Sequence, residues 1–260
     1  MRPDAPESSS KTIRRLFLVG TDTDCGKTAV TCALLRSARA GGLTPLPFKP
    51  AASGPEGPAS DPARLLRAAE ISELELPLLC PMRYEPPLAP GIADEPARFL
   101  DATPPTPERA PIERALAALN NAELRHRPDV TLIEGAGGLH VPMPGGTWLP
   151  EWLTAFAATP IVVGRLGLGT INHTLLTIDA LRAAGHEPPG FLLSQTRDPG
   201  VTDDPSRSDN PRIIERARGL PCLGVLPYIA DESTRATEPE PARAREWHAP
   251  TLWSRLIGAG

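Results

Sequence analysis

Residues 16–28 read Leu-Phe-Leu-Val-Gly-Thr-Asp-Thr-Asp-Cys-Gly-Lys-Thr. This is an apolar run followed by a loop with a glycine at each end, Gly20 and Gly26. Five residues separate Gly20 from Gly26, one more than in the common G-x-x-x-x-G-K-[ST] pattern. Glycine lets the backbone turn its N–H groups toward an anion, and a following helix presents its positive N-terminal end there. Lys27 can then reach the β- and γ-phosphates, and the Thr28 hydroxyl can ligate Mg²⁺. This stretch predicts a phosphate loop in preference to a strand–helix turn with a surface lysine.

The rest of the chain continues the alternation of strand and helix. Predicted strands cover Leu16–Val19, Thr44–Phe48, Val130–Ile133, Pro160–Val163, Gly190–Leu193 and Gly224–Leu226. Predicted helices cover Gly26–Ala40, Asp61–Ala69, Ile112–Leu124, Thr170–Ala184 and Pro211–Arg218. Several strands are apolar throughout, as strands buried on both faces are. We therefore expect one α/β domain over residues 12–260, with a mostly parallel sheet, helices on both faces and the architecture of phosphate-loop NTPases.

Composition restricts the classes of partner and compartment. The 260 residues are 40% hydrophobic and carry a net charge of −4 without a dense basic block, so no nucleic-acid partner is expected. No apolar run approaches the roughly 18 residues that span a bilayer, so no membrane association is expected. The four cysteines (Cys25, Cys32, Cys80 and Cys222) form no CxxC pair and no metal-ligand spacing, which favours reduced thiols and a cytoplasmic protein.

The chain ends and the proline-rich stretches are harder to assign. Residues 1–11 are polar and lack the apolar core of a signal peptide, so we predict a flexible tail. The 33 prolines cluster in 85–90, 103–111 and 188–189, between apolar runs, where proline stiffens loops and stops helices. Whether 86–111 connects elements or covers a substrate stays open, as does the role of 230–260.

A second lysine follows the second predicted strand, in Phe48-Lys49-Pro50-Ala51-Ala52-Ser53-Gly54. A side chain at the carboxyl end of such a strand projects into the crevice where α/β folds bind ligands. Taken alone, Lys49 fits a solvated surface charge as well as a catalytic one. Two ammonium groups about 6 Å apart repel each other by roughly 3 kcal/mol at an effective dielectric of about 20, and a bound triphosphate reverses the sign. Together with Lys27, Lys49 therefore predicts a phosphate clamp.

Two carboxylates are candidates for binding Mg²⁺. Glu134 directly follows the run Val130–Ile133, where phosphate-loop enzymes place a metal-orienting carboxylate. The glycines that come after it allow close backbone approach to a ligand. Asp61, considered as an isolated residue, is more typical of a helix N-cap.

Together these motifs resemble the dethiobiotin synthetase family. The resemblance rests on Gly20–Thr28, Lys49–Gly54, Glu134–Pro142, Gly167–Thr174 and Gly224–Tyr228, which occur in order and at compatible distances. It implies a ligase of biotin biosynthesis that closes the ureido ring of dethiobiotin from 7,8-diaminononanoate, CO₂ and ATP with Mg²⁺. A carbamate and a carbamic–phosphoric anhydride are the implied intermediates. A phosphate loop alone is widespread, whereas the motifs together are specific.

The resemblance also implies roles for individual residues. Lys27 and Lys49 stabilise charge on the transferred phosphoryl group, and Thr28, Asp61 and Glu134 hold Mg²⁺. The implied nucleotide-binding residues are Asp24, Cys25, Gly26, Lys27, Thr28, Ala29, Asp61, Glu134, Gly135, Ala136, Gly137, Ser194, Gln195, Pro227, Tyr228 and Ile229. The implied substrate-binding residues are Thr23, Ser53, Gly169, Thr170 and Asn172.

The segment Gly169–Thr174 resembles a family loop that helps to bind the substrate carboxylate across a homodimer interface. Thr170 is predicted to cap the helix that follows, with N–H groups that suit a carboxylate. His173 in this segment is interpreted as a packing histidine more readily than as a general base.

The chain departs from the family pattern at two positions. Ser194-Gln195 stands where the family usually has an asparagine that reads adenine, which predicts weak discrimination between ATP and other nucleoside triphosphates. Asp24 stands where a glutamate is often found, which shortens a possible substrate contact. Neither change removes a group that phosphoryl transfer needs.

Other functions are less favoured. A partition-type ATPase switch would share the fold, but such proteins generally carry a lysine early in the loop, where this chain has Thr21-Asp22-Thr23. A cobyrinate-type amidotransferase synthetase needs a glutaminase domain, for which the chain is too short. A purely structural or binding role leaves the phosphate loop unexplained. Cys25 is interpreted as a small loop residue and not as a nucleophile.

Overall fold

The computed structural model describes residues 13–198, 200, 204–229 and 253. Within these residues the strands are β1 (Arg14–Gly20), β2 (Pro45–Phe48), β3 (Ala51–Ser53), β4 (Met82–Tyr84), β5 (Val130–Gly138), β6 (Pro142–Met143), β7 (Thr147–Trp148), β8 (Thr159–Arg165), β9 (Phe191–Ser194) and β10 (Cys222–Leu226). The α-helices are α1 (Lys27–Ala40), α2 (Asp61–Ala69), α3 (Leu76–Leu79), α4 (Pro90–Asp94), α5 (Ala97–Leu100), α6 (Ala110–His126), α7 (Leu149–Ala155), α8 (Thr170–Ala183) and α9 (Asn210–Arg218).

A six-stranded parallel sheet with the order β10-β9-β8-β1-β5-β2 forms the centre of the molecule. From β1 the chain passes through α1 to β2, which forms one edge of the sheet, and β5 later inserts between β1 and β2. It then continues on the other side of β1 with β8, β9 and β10. The strand order therefore reverses at β1, and in open α/β sheets ligands bind outside the carboxyl ends of the strands at such a point.

Alternate residues of β1 bury against helices on opposite faces of the sheet. Leu16 and Leu18 pack in one core with residues of α1, such as Leu34. Phe17 and Val19 pack in the other core with residues of α6, α7, α8 and α9. Phe156, which follows α7, stacks on Phe17 with ring centroids 6.2 Å apart. Both faces of the sheet are covered, so the strands need apolar residues at every position.

The predicted α/β fold with a mostly parallel sheet is confirmed. The largest change in a predicted strand is at β5, which continues through Gly138, so that Glu134 lies inside the strand. The strand β3 was not predicted; Ala51–Ser53, directly after Lys49-Pro50, form it and pair with β4. Sequence patterns did not predict α3, α4, α5 and α7. Prolines occupy the first turn of α3, α4 and α7, where the missing N–H has no helical partner to lose.

Several predictions concern parts of the chain that lie outside the described residues. These are the tail 1–11 and, apart from Trp253, the segment 230–260. Trp253 is buried and donates a hydrogen bond from Nε1 to Ser37 Oγ at 3.1 Å, which attaches it to α1. The four cysteines are free thiols. In the described part of the chain, no helix is long and apolar enough to cross a membrane.

Candidate active site at the phosphate loop

The phosphate loop leads from the end of β1 into the buried helix α1. Gly26 is the N-cap of α1 and has a φ of 92°, and no side chain caps this helix end. A Cβ atom at Gly26 would lie 2.4 Å from Ser194 Oγ. Glycine is thus required by both the positive φ and the close contact with β9. The first N–H groups of α1 have no side-chain cap, which suits an anion at this end.

Lys27 folds back over the loop. Its Nζ donates a hydrogen bond to the backbone oxygen of Asp22 at 3.1 Å and lies 3.9 Å from Cys25 Sγ. The side chain is buried, and it forms no ion pair with any residue that the structure describes. A buried ammonium with only uncharged partners would gain strongly from an anionic ligand.

Lys49 forms a buried ion pair with Glu134. Phe48 faces Ile133 in the register of β2 and β5, so the next residues, Lys49 and Glu134, lie side by side. Lys49 Nζ lies 2.6 Å from Glu134 Oε1 and 3.3 Å from Asp61 Oδ2, at the start of α2. Glu134 Oε1 also accepts a hydrogen bond of 3.0 Å from the Thr28 hydroxyl. The four side chains come from β5, the end of β2, α1 and α2, and only the tertiary structure brings them together.

The charges of Lys49, Glu134 and Asp61 keep Lys49 and Asp61 ionised. Burial by itself would lower the pKa of Lys49, but the negative charges of Glu134 and Asp61 outweigh burial and raise that pKa above its ordinary value. Burial would likewise raise the pKa of Asp61. The positive charge of Lys49 reverses this effect, so the pKa of Asp61 is lowered. Lys49 is therefore an ammonium and Asp61 a carboxylate at neutral pH.

One oxygen of Glu134 is left unpaired. Oε2 is buried and has no hydrogen-bond partner among the described residues. No group of three or more His, Cys, Asp or Glu side chains in the described ranges could enclose a metal ion. Mg²⁺ usually keeps several waters and takes only one or two protein carboxylates together with substrate phosphates. The oxygens of Thr28, Asp61 and Glu134 thus fit Mg²⁺ that is held jointly with a nucleotide.

A cavity of about 550 Å³ opens above these side chains. Its volume lies within the range of about 300–1,000 Å³ that is usual for small-molecule sites. The sequence-predicted residues that line it are Thr23, Asp24, Gly26, Lys27, Thr28, Ala29, Lys49, Ser53, Asp61, Gly135, Ala136 and Gly137. Ser53 Oγ is buried without a partner in the described chain, so it is available to a ligand. Most of the residues predicted for the phosphate and metal end therefore surround one cavity.

Seven cavity-lining residues were not predicted from the sequence, namely Ala52, Arg64, Pro87, Leu88, Ala89, Pro90 and Val141. Arg64 lies one helical turn after Asp61, and this i, i+3 spacing was a usable signal for it. Nothing local in the sequence points to residues 87–90. Their position shows that this part of the proline-rich segment forms a wall of the cavity.

The residues predicted for the nucleotide base lie apart from this cavity. Ser194 is buried beneath the phosphate loop, with its Oγ directed at Gly26. Gln195 is half-buried, and its backbone N–H donates to the Leu226 carbonyl at 2.9 Å. Pro227, Tyr228 and Ile229 follow β10 and are half-buried. Cys25 is buried within the loop and does not line the cavity.

The predicted carboxylate-binding segment also lies apart from the cavity. Gly169, with a φ of 91°, is the N-cap of α8, and no side chain caps this helix. The prediction that Thr170 is the cap is therefore wrong, since Thr170 is buried, with its hydroxyl 3.4 Å from that of Thr174. Asn172 and His173 are exposed. Similarly, the N-cap of α2 is Ser60, so the reading of Asp61 as an N-cap is wrong and its carboxylate is available to Lys49.

Comparison with known proteins matches most of the chain. A family model described as an AAA domain matches residues 14–236. An ATP-dependent dethiobiotin synthetase from Anaeromyxobacter sp. is 41% identical over 224 residues, which cover 86% of this chain and 94% of the relative. The protein of the same name from Chromohalobacter salexigens is 37% identical, covering 82% of this chain and 90% of the relative. ATP-dependent dethiobiotin synthetase BioD 1 from Escherichia coli is 30% identical, covering 86% and 94%.

Among solved structures, chloroplast FtsY from Physcomitrella patens is similar with a TM-score of 0.49 and 16% identity, covering 82% of this chain and 58% of that one. A likeness at this level carries no functional inference. The relatives, by contrast, share 30–41% of their residues with this chain over most of both lengths. The chain belongs to the ATP-dependent dethiobiotin synthetase family.

Proposed function

We propose that this chain catalyses the ATP-dependent closure of a ureido ring on 7,8-diaminononanoate, with CO₂ as the carbon source, to give dethiobiotin, ADP and phosphate. The observation that carries the proposal is that Lys27, Lys49, Thr28 and Asp61 converge on one cavity. The names of the relatives support the same reaction. No feature of the site favours the partition-type switch.

The proposed reaction has three steps. One amine of the substrate adds CO₂ to form a carbamate, and a carbamate oxygen then attacks the γ-phosphate of ATP, releasing ADP. The second amine attacks the carbonyl of the carbamic–phosphoric anhydride, the C–O bond to phosphate breaks, and the ring closes. Such phosphoryl transfer depends on positioning and on charge stabilisation more than on covalent chemistry by the protein.

The proposed role of the protein is electrostatic. In this proposal Lys27 and the N–H groups at the start of α1 bind the phosphates, which is supported by the uncapped helix start and by the uncharged partner of Lys27, the Asp22 backbone oxygen. Lys49 keeps its proton, so it can offset negative charge on the phosphoryl group without acting as an acid. The unpartnered Ser53 hydroxyl in the cavity wall can position the carbamate.

We include Mg²⁺ in the proposal, with Thr28, Asp61 and Glu134 as its protein ligands. The ion would supply charge neutralisation between the β- and γ-phosphates. The buried and unpartnered Oε2 of Glu134 supports this assignment, because an unpaired buried carboxylate oxygen is costly unless a cation or hydrogen-bond donor satisfies it.

We further propose that the active form is a cytoplasmic homodimer in which α8 contributes to the substrate site of the partner. Two leucines support this, since Leu168, just before α8, is 81% exposed and Leu176, in the middle of α8, is 60% exposed. Asn172 and His173 lie between them and are also exposed. Sedimentation tests the proposal, and full activity from a monomer would reject it.

The decisive experiment is an assay of phosphate release that depends on both bicarbonate and 7,8-diaminononanoate, with the product identified by mass. We expect phosphate release to require both compounds and the product mass to be that of dethiobiotin. Phosphate release that is unaffected by omission of the diamine would instead indicate an ATPase of another kind.

A further inference from the structure

Lys49 contacts one oxygen of each carboxylate in the proposed metal site. Its ammonium contacts Glu134 Oε1 at 2.6 Å and Asp61 Oδ2 at 3.3 Å. The Thr28 hydroxyl donates to the same Glu134 oxygen at 3.0 Å. Thus all three proposed ligands of the cation are engaged with one another or with this single ammonium group.

We propose that Lys49 is a placeholder that excludes a divalent cation from Glu134 and Asp61 until a nucleoside triphosphate binds. The inference rests on the proposed function for the identity of the cation ligands. It adds an order of events, in which the triphosphate draws the ammonium of Lys49 away from the carboxylates, and the metal then takes its place together with the phosphates.

The charges around Lys49 explain why a free cation is excluded. The ammonium and the two carboxylates leave a net charge of −1, which attracts a divalent cation much less than two free carboxylates would. A cation that binds Glu134 Oε1 must displace an ammonium that is itself buried and has no other anionic partner described. A triphosphate supplies new anionic partners for that ammonium, and this makes the exchange favourable.

Lys27 provides the matched comparison. It lines the same cavity and carries the same charge, but its Nζ contacts only a backbone oxygen and a thiol sulfur. Removing Lys27 therefore lowers the positive charge of the cavity without releasing either carboxylate. A difference between the two lysine variants isolates the effect of the direct contact from that of the general charge.

The experiment measures binding of Mn²⁺, as a probe for Mg²⁺, to the nucleotide-free protein by electron paramagnetic resonance. We expect weak binding to the wild type and binding about 10–100-fold tighter to Lys49→Met, a range typical of groups that directly control metal ligands. For Lys27→Met we expect a clearly smaller gain than for Lys49→Met, because Lys27 contacts neither carboxylate and its removal releases no metal ligand. Adding a non-hydrolysable ATP analogue should strengthen Mn²⁺ binding to the wild type.

Two outcomes overturn the proposal. One is that the nucleotide-free wild type binds Mn²⁺ as tightly as Lys49→Met, which would show that the cation enters through the unpartnered Glu134 Oε2 without moving Lys49. The other is an equal gain of affinity in Lys27→Met. If Lys49→Met does not fold alone, Mn²⁺ should restore its folding by replacing the lost ammonium, and no rescue would count against the proposal. None of these measurements depends on ring closure, so they test the placeholder role alone. Failure of the proposed reaction is detected separately, by the phosphate-release assay.

Discussion

Replacing Lys49 by methionine separates stability from catalysis at the buried ion pair. The substitution keeps the approximate shape of the side chain and leaves Glu134, which is fully buried, without its ammonium partner. Loss of one member of a buried pair costs about 3–5 kcal/mol. Since the free energy of unfolding of a domain is only about 5–15 kcal/mol in total, we expect a large decrease in stability.

The double variant Lys49→Met, Glu134→Gln tests the cause of that decrease. Removing both charges leaves no uncompensated buried ion, so much of the lost free energy of unfolding should return. Turnover should not return, because the ammonium that offsets charge on the phosphoryl group is still missing. Loss of one such charge-stabilising group commonly lowers kcat by about 10²–10³.

Urea unfolding of the single and double variants gives the stabilities, and phosphate release per folded molecule gives kcat. Arg15→Met is the matched control. Arg15 forms an ion pair of 2.6 Å with the buried Glu123 at the other end of β1, so this variant should lose stability and keep its turnover. Two results would refute the reasoning, namely wild-type turnover in Lys49→Met or a double variant no more stable than the single one.

Three further predictions concern the loop, the base and pH. Gly26→Ala should abolish ATP binding, as measured by titration, because the added methyl group would lie 2.4 Å from Ser194 Oγ. The control is Gly42→Ala, where φ is 81° and the space around the added methyl is open. This control should lower the free energy of unfolding by only about 1–2 kcal/mol and keep ATP binding. Other triphosphates should compete well with ATP, since Ser194 faces the loop and, of the pair Ser194-Gln195, Gln195 alone is left to contact a base. Strict ATP preference in competition assays would contradict this. The lowered pKa of Asp61 stabilises the fold above its unfolded pKa of 3.8, and this contribution is lost as pH falls through the still lower folded pKa. The difference in urea midpoint between wild type and Asp61→Asn should therefore shrink below about pH 4, and a constant difference would count against the pairing.

Local patterns were sufficient to predict the residues that the structure gathers around the proposed phosphate end of the cavity. The phosphate loop is a short stretch, and its glycines, lysine and threonine have fixed relations to one strand and one helix. Lys49 and Glu134 were predicted separately, each from its place after an apolar run. Their direct contact was not predicted, because it requires β2 and β5 to be neighbours in a given register.

Predictions failed where a side chain had alternatives that only packing decides. Thr170 has the chemistry of a helix cap, yet burial turns its hydroxyl toward Thr174. The proline-rich segment was assigned to loops because proline stops helices, but at the first helical turn proline is compatible with helix, as in α4. Part of that segment lines the cavity, and no periodic signal marks it.

The alternation of the central strands with the longer helices, the phosphate loop and the family resemblance were all readable from the chain by itself. These three features depend on the spacing of residues that are close together in sequence. That spacing determines the periodicity of hydrophobic residues and the geometry of the loop. The ion pair between Lys49 and Glu134, the unpaired Glu134 oxygen and the cavity wall at 87–90 were decided by the tertiary structure alone. These features join residues that are distant in sequence, and their contacts exist only once the sheet order and the packing of helices on it are established.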